Sequence, residues 1–463
     1  MKNHQRLILF PLLIPILIVL VFSACTLVDP TATPAVQSSV TFEDETTTAT
    51  SSLTNTPLPS LGIDPAALRG IEVNAWHAFA GDANVLFDEL VSLFNSTNEW
   101  GVIVTASGYG DYLTLDEVMQ AASAGEIPQL LITLPEQGLR WQAEGLVVDL
   151  SPYLDDWEFG MSEKEQADFP AAFWTSVGAP AQRSARFLYY NQTWAHELGF
   201  TAPPLTPEEF RQQACAANAS FKTDPDPEDD GFGGWVVDDN WQTVYSWMLA
   251  FNGNLVEGGS FNFNREENEA ALAYLKRLYD DNCAWLLAEE APYQAFAARK
   301  ALFVSGDLAE ITAARLAMEA AGSSDEWTLV PFPGLEDPLA VAYGPSYTLL
   351  RSSPEEQLAA WLFTRWMISA GNQATWVETT GLLPLRYSVM EMIAPYRSAN
   401  PQWESVASTL DLLRGTPELA AWRKARYLLQ DGVKSLFQVN LPLDEIPSLL
   451  DEMQDMALEL GGG

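Results

Sequence analysis

Aromatic rings stand close to charged or amide side chains at several points of this sequence. Trp241 and Tyr245 lie between Trp235 and Trp247. Trp422 and Arg426 are four residues apart, which on a helix sets a ring beside a guanidinium on one face. Trp76 and His77 close an apolar run, and Tyr109 and Tyr112 flank Gly110. Flat rings suit the C–H faces of a sugar, while carboxylates, amides and arginine suit its hydroxyls. The same rings would also serve a core, where Trp and Tyr are largely buried in any fold. A lone histidine such as His77 serves packing as readily as a ligand.

Other chemistries find less support. Three His and three Cys, with no Cys-x-x-Cys or His-Glu-x-x-His, are too few for most metal sites. Asp226 to Gly231 sets oxygen ligands at positions 1, 3 and 5 with Gly at 6, but position 12 is Val237. Without a bidentate carboxylate there the calcium-loop reading fails, and the segment reads as a solvated acidic turn. No metal, no cofactor and no catalytic residue are expected. There is no clustered Arg or Lys pair of the kind that holds a phosphate dianion.

The chain has 463 residues, with 62 acidic and 24 basic side chains and a formal charge of -38. That length favours two domains. An apolar fraction of 48% with 16 Trp leaves ample surface to bury, so this is a folded protein and not a disordered polyanion. Such a surface repels a phosphate backbone, which excludes nucleic acid as a partner.

Residues 1–24 read as an export signal. Lys2 and Arg6 precede an apolar run from Leu7 to Phe22, and small Ser23 and Ala24 precede Cys25. Phe22-Ser23-Ala24-Cys25 resembles a bacterial lipobox, with Phe22 in place of the usual Leu; the resemblance implies lipidation of Cys25 and anchoring to the outer face of the cytoplasmic membrane. A single membrane-spanning anchor is the alternative. Residues 25–65, rich in Ser, Thr and Pro, read as a disordered tether.

The elements that must position the aromatic groups begin at Ile71. Ile71 and Val73 lead a strand to Trp76, and Asp82 is placed to cap a helix whose Leu86, Leu90, Leu93 and Phe94 share a face. Val102 to Val104 reads as a second strand. Thr114 to Glu117 has capping-box spacing before another helix, and Leu130 to Ile132 reads as a third strand. This β-α-β-α-β alternation is the grammar of an open α/β sheet, which takes ligands beyond its C-terminal strand ends, at loops such as 76–82 and 134–137. Thr206 to Glu209 and Ser353 to Glu356 are capping boxes with Pro at the first helical position. Further helices are expected over 266–281, 354–368, 419–429 and 444–460.

Several segments together resemble the extracellular solute-binding proteins of ABC transporters, in the branch of the maltose-binding and glycerol-phosphate-binding proteins. They are Ala75-Trp76-His77 with Leu93-Phe94-Asn95, Ala124 to Gln129, Gly145 to Leu150, Leu188 to Asn191, Pro203 to Thr206, Ala301 to Phe303 and Trp327 to Gly334. The resemblance implies an α/β fold of two lobes, a hinge crossed three times and a ligand cleft between the lobes. It places crossings near 176–180, 343–346 and 396–400, with Gly344 and Pro345 at the second. The first lobe would then hold 66–177 and 347–395, and the second 181–342 and 400–463.

The same resemblance adds Glu136, Gln137, Arg183 and Ser184 to the ligand-binding set and favours Trp241, Trp422 and Arg426 within it. Its partners are a carbohydrate, the permease subunits and the membrane through Cys25, with the protein itself a monomer. Apart from the resemblance, Cys215 and Cys283, in two successive predicted helical regions of one lobe, are expected to form a disulfide, which export permits, with two buried thiols as the alternative. The leading function is carbohydrate capture for import. An exported glycoside hydrolase is the alternative, since paired carboxylates in an aromatic cleft would also suit that reaction. A receptor domain that signals rather than imports is a third class.

Overall fold

The computed structural model describes residues 61–461, apart from 124, 288–290, 408 and 438–440. The signal segment, Cys25 and the tether up to residue 60 lie outside the described residues.

The first half alternates as its hydrophobic pattern requires: β1 Glu72–His77, α1 Gly81–Thr97, β2 Ile103–Gly108, α2 Tyr112–Ala121, β3 Leu130–Thr133 and α3 Pro135–Ala143. Then follow β4 Ala179–Pro180, β5 Ser184–Asn191, α4 Pro207–Lys222, β6 Trp235–Val236 and α5 Trp241–Ala250. A small hairpin, β7 Val256–Glu257 and β8 Ser260–Phe261, leads to α6 Glu266–Asp280, β9 Ala284–Trp285, β10 Phe303–Asp307 and β11 Trp327–Val330. The chain ends with β12 Ala340–Tyr343, β13 Ser346–Leu349, α7 Pro354–Met367, β14 Leu413–Arg414, α8 Trp422–Leu436 and α9 Ile446–Gly461, with shorter helices between.

Among the described residues these strands gather into two main sheets. One has the order β2-β1-β3-β13-β4, parallel across β2, β1 and β3 and antiparallel at β13. The other runs β14-β12-β5-β10-β6-β9, with β11 pairing the far end of β5. β3 is buried at every position, as a central strand covered on both faces must be.

Among the described residues the chain passes between the sheets three times, twice by connections of only two or three residues. Ala181 to Arg183 join β4 of the first sheet to β5 of the second, and Gly344-Pro345 join β12 of the second to β13 of the first. Gly344 has φ +148°, and a Cβ there would stand 2.3 Å from the Gln182 carbonyl oxygen, so only glycine fits. Near residue 400, the helix Pro401–Ala407 packs on β11 of the second sheet.

Several local expectations change. α1 starts at Gly81 with Ala80 as its N-cap and no side-chain cap; Asp82 instead lies in the first turn, where a negative charge suits the helix dipole. Leu93 is exposed, and Phe87 and Val91 take its place beside Leu86, Leu90 and Phe94. The box at Thr114 does not form because α2 begins earlier, at Tyr112, with the Asp111 carboxylate accepting from the Leu113 and Thr114 amides. Residues 135–137 are the first turn of α3 and not a loop. The 419–429 helix begins at Trp422 and runs on to Leu436. The boxes at Thr206 and Ser353 both form.

Cys215 on α4 is bonded to Cys283, with Cα atoms 4.3 Å apart. Cys283 lies in the turn after α6, and α5 separates α6 from α4, so the pair does not join successive helices. On a chain-entropy account a loop of this size contributes roughly 4 kcal/mol.

Candidate ligand-binding site

The N-termini of α5 and α8 bring four aromatic rings together. The Asn240 side chain caps α5 by accepting from the Gln242 amide at 2.9 Å, which fixes Trp241 as the first helical residue. α8 likewise begins at Trp422. The two indoles meet edge to face with centroids 5.5 Å apart; Tyr245 lies 5.6 Å from Trp422, and Tyr343, at the end of β12, 6.2 Å from Trp241. The Trp422 Nε1–H is buried without a hydrogen-bond partner among the described residues, and so is the Gln242 Oε1. A polar atom buried without a partner is costly, and the same holds for the core indoles of Trp247 and Trp376.

Arg426 stands one turn after Trp422, on the same face as the sequence spacing predicts. Its guanidinium carbon is 5.1 Å from the centre of the Trp241 ring, and its Nη2 lies 2.9 Å from the Glu136 Oε1. Glu136 belongs to α3, which follows β3 of the first sheet. The contact therefore joins the two sheet systems. Beside it, Asp116 of α2 is 5% exposed; it receives Arg140 from its own side and has Arg423 of α8 at 3.7 Å from the other. A cavity of about 410 Å³ opens here, lined by Glu136, Arg140, Arg423, Lys424 and Tyr427 among others. Arg140, Arg423 and Lys424 thus form a basic cluster that the linear sequence was read as lacking, with Asp116 and Glu136 set among them to offset the charge. Tyr112, the first residue of α2, has its phenol pKa raised by burial, with Arg183 and Glu136 as its charged neighbours.

Three residues of the expected set are occupied otherwise. His77 is 1% exposed, packed on Phe79 and Phe87, and its Nδ1 accepts from the Phe79 amide at 3.2 Å. Burial pushes its pKa down to about 4 against the pull of Asp88, so the imidazole is neutral and structural. Gln137 accepts from the Thr133 hydroxyl and donates to the Tyr112 carbonyl, each at 2.7 Å, locking α3 to β3 and α2. Arg183 donates to the backbone carbonyls of Phe173, Gln182 and Pro345 and to the Ser346 hydroxyl. It brackets the two short sheet crossings and borders a small pocket there together with Pro135, Trp174, Tyr343 and Glu418. Burial pushes its pKa down to about 9, opposed by Tyr112 and Glu418.

The Trp76 and Tyr109 rings meet at a tilt, with centroids 5.3 Å apart, and pack beside the small cluster of Leu115, Met119 and Trp141, as does Tyr112. Ser184 is buried opposite Tyr343 in the β5–β12 pairing.

Sequence reading passed over Arg186, two residues beyond Ser184 on β5. Its Nε donates to Asp238 at 3.0 Å and to the Thr243 hydroxyl at 2.7 Å, and its Nη1 is 3.3 Å from Asp307. Burial opposes its charge, but Asp238 and Asp307 outweigh burial and raise its pKa. Asp307 is itself raised by burial, with Arg186 pulling it down. The signal lay in β-strand alternation, since Ser184 and Arg186 share a face of β5, and in the acidic pair Asp238-Asp239 directly before α5.

Residues 89–404, more than half of the chain, match the family described as bacterial extracellular solute-binding protein. A search of curated protein sequences found no match. Among solved structures, the chain is similar to the sugar-binding protein MalE of Xanthomonas citri, at 19% identity and TM-score 0.72, covering 84% of this chain and 97% of that one. It is also similar to the cyclic alpha-maltosyl-1,6-maltose binding protein of Arthrobacter globiformis, at 17% identity and TM-score 0.67, covering 85% and 100%. A third is UgpB of Mycobacterium tuberculosis, solved with glycerophosphocholine, at 14% identity and TM-score 0.64, covering 84% and 98%. These relatives share the two-lobed α/β fold, and the first two are named as binding proteins, which leaves the glycoside hydrolase alternative without support. By the match over residues 89–404, and with this two-sheet architecture, the chain belongs to the bacterial extracellular solute-binding proteins.

Proposed function

We propose that this protein is the extracytoplasmic substrate-binding component of an ABC importer, which captures a neutral carbohydrate and delivers it to the membrane permease without chemical change. The observation that carries the reading is the cluster of Trp241, Tyr245, Tyr343 and Trp422, with Arg426 over Trp241 and Glu136 facing Arg426 from across the sheet boundary. Rings of this kind offer stacking faces to sugar C–H groups, and the charged pair offers donors and acceptors for hydroxyls. Trp76, Tyr109 and Tyr112, which pack on one small cluster on the side of the first sheet, would add faces from the opposite lobe. The carbohydrates in the names of the MalE and maltosyl-maltose relatives point the same way.

In this reading the lobes comprise 66–177 with 347–395 and 181–342 with 400–463, and they turn on Gly344-Pro345. A ligand touching both lobes binds the closed form better, and that difference drives closure. The protein acts as a monomer held to the outer face of the membrane by lipid on Cys25. Replacing Cys25 by Ser should release it to the soluble fraction; a variant that stays membrane-bound and uncleaved would make the N-terminal apolar segment a span.

Mass spectrometry of small molecules released on denaturing the purified protein tests the substrate class. An intact neutral sugar or oligosaccharide is expected, and a peptide, amino acid or metal complex recovered in its place would overturn the reading.

A further inference from the structure

Two of the contacts between the sheet systems are ion pairs made by one helix. α8 packs with α5, α6 and α9 on the side of the second sheet, and it sends Arg423 to Asp116 of α2 and Arg426 to Glu136 of α3. Both carboxylates are nearly buried, at 5% and 4% side-chain exposure, while the arginines keep 28% and 19%. With α8 in place both acids are largely desolvated, and its arginines supply their counter-charges across the boundary. Asp116 has a first partner in Arg140 of its own side, so Arg423 adds to an existing pair; Glu136 takes its ion-pair partner from α8. Arg426 also lies over Trp241, with 5.1 Å between its guanidinium carbon and the ring centre, on a face that a sugar would stack against.

We propose that α8 is a charge latch, in which Arg423 and Arg426 draw the lobes together through Asp116 and Glu136 by protein atoms alone. A fraction of the ligand-free molecules is then closed, ligand binding adds to that closure, and a sugar must displace Arg426 from Trp241. This rests on the two-lobed clamp reading above and adds the regulation of the same site. A binding protein that shuts on its own charges lowers the apparent affinity for its ligand by the fraction of molecules that are open, because only those admit it.

The test needs no carbohydrate. In the full-length protein, spin labels carried by unnatural amino acids at exposed Glu89 on α1 and Glu452 on α9 report the interlobe distance by pulsed electron resonance. In 20 mM salt the wild type should show a closed population beside the open one. Arg423→Gln with Arg426→Gln should lower the ratio of closed to open molecules by roughly fivefold for each pair removed, and 1 M salt should move the wild type in the same direction because it screens the partly exposed arginines. Asp116→Asn with Glu136→Gln should reproduce the shift; since both acids are buried, circular dichroism must first show that variant folded, and the arginine variant decides otherwise. Distance distributions that overlay for wild type and the double-arginine variant would overturn the latch. The carbohydrate reading falls separately, by the identity of the co-purified molecule.

Discussion

Arg183 and Arg426 both sit where the two sheet systems meet, and family resemblance nominates both for ligand contact. Arg183 is 2% exposed and has its guanidinium bonded to three backbone carbonyls and a serine hydroxyl. Those acceptors belong to strands and crossings that cannot leave it without breaking the hinge. Arg426 touches one carboxylate, which separates from it when the lobes part, and one ring face of its own side, Trp241, over which it lies. The difference is one of partners and not of residue type. A side chain fixed by immobile backbone is structure, and one held by groups on the opposite lobe is free to exchange them for a ligand.

That contrast can be broken first at the hinge. Arg183→Ala should lower stability by about 3 to 4 kcal/mol, because several buried acceptors lose a charged donor at once. Urea unfolding of wild type and variant measures it, and a loss under about 1 kcal/mol would mean the hinge carbonyls find other partners.

His77 sharpens the same point through pH. The folded protein holds its imidazole near pKa 4, whereas an unfolded chain titrates near 6.5, so between these values only the unfolded chain binds the proton. Stability should therefore fall as pH drops through 6.5, and the loss should be complete below about pH 4 at about 3 kcal/mol. Comparing urea midpoints at pH 7 and 4.5 for wild type and His77→Gln isolates this part from the carboxylates. An equal acid sensitivity in both proteins would show that His77 is not the group responsible.

On the cleft side the effects should appear in binding. Trp422→Ala should weaken carbohydrate affinity by about 1 to 3 kcal/mol through loss of a buried stacking face. Fluorescence titration with the sugar recovered from the wild type provides the check, and unchanged affinity would remove Trp422 from the site. Gln137→Ala is expected to give the smallest change, about 1 kcal/mol of stability, since it loses hydrogen bonds inside one lobe. A thermal scan reads that loss, and an unchanged midpoint would mean the α2–β3 link contributes nothing.

Much of the fold was legible in the sequence because it is written in local terms. The alternation from Ile71, the boxes at Thr206 and Ser353 and the pair Trp422 and Arg426 all rest on spacings within one element. Failures came where a neighbouring element decided the outcome. Leu93 fits the apolar stripe of α1 as well as Val91 does, yet only packing determines which of them is covered. Arg183 and Ser184 were nominated by position along the chain, whereas Arg186, next on the same strand face, acquires its role from Asp238 and Asp307, 52 and 121 residues away. The basic cluster of Arg140, Arg423 and Lys424 draws its first member from a different helix and lobe. Such long-range meetings have no periodic signature, so only the assembled structure reveals them.

The central claim is that the Trp241 and Trp422 cluster binds a neutral carbohydrate without consuming it. Calorimetric titration of the full-length protein with a panel of neutral and phosphorylated sugars and oligosaccharides, followed by chromatography of the mixture, tests it most directly. The account predicts saturable one-site heat with at least one neutral member, recovery of that sugar intact, and an affinity reduced about 5- to 150-fold in Trp422→Ala. No saturable heat from any neutral member, or hydrolysis of the sugar that binds, would contradict it.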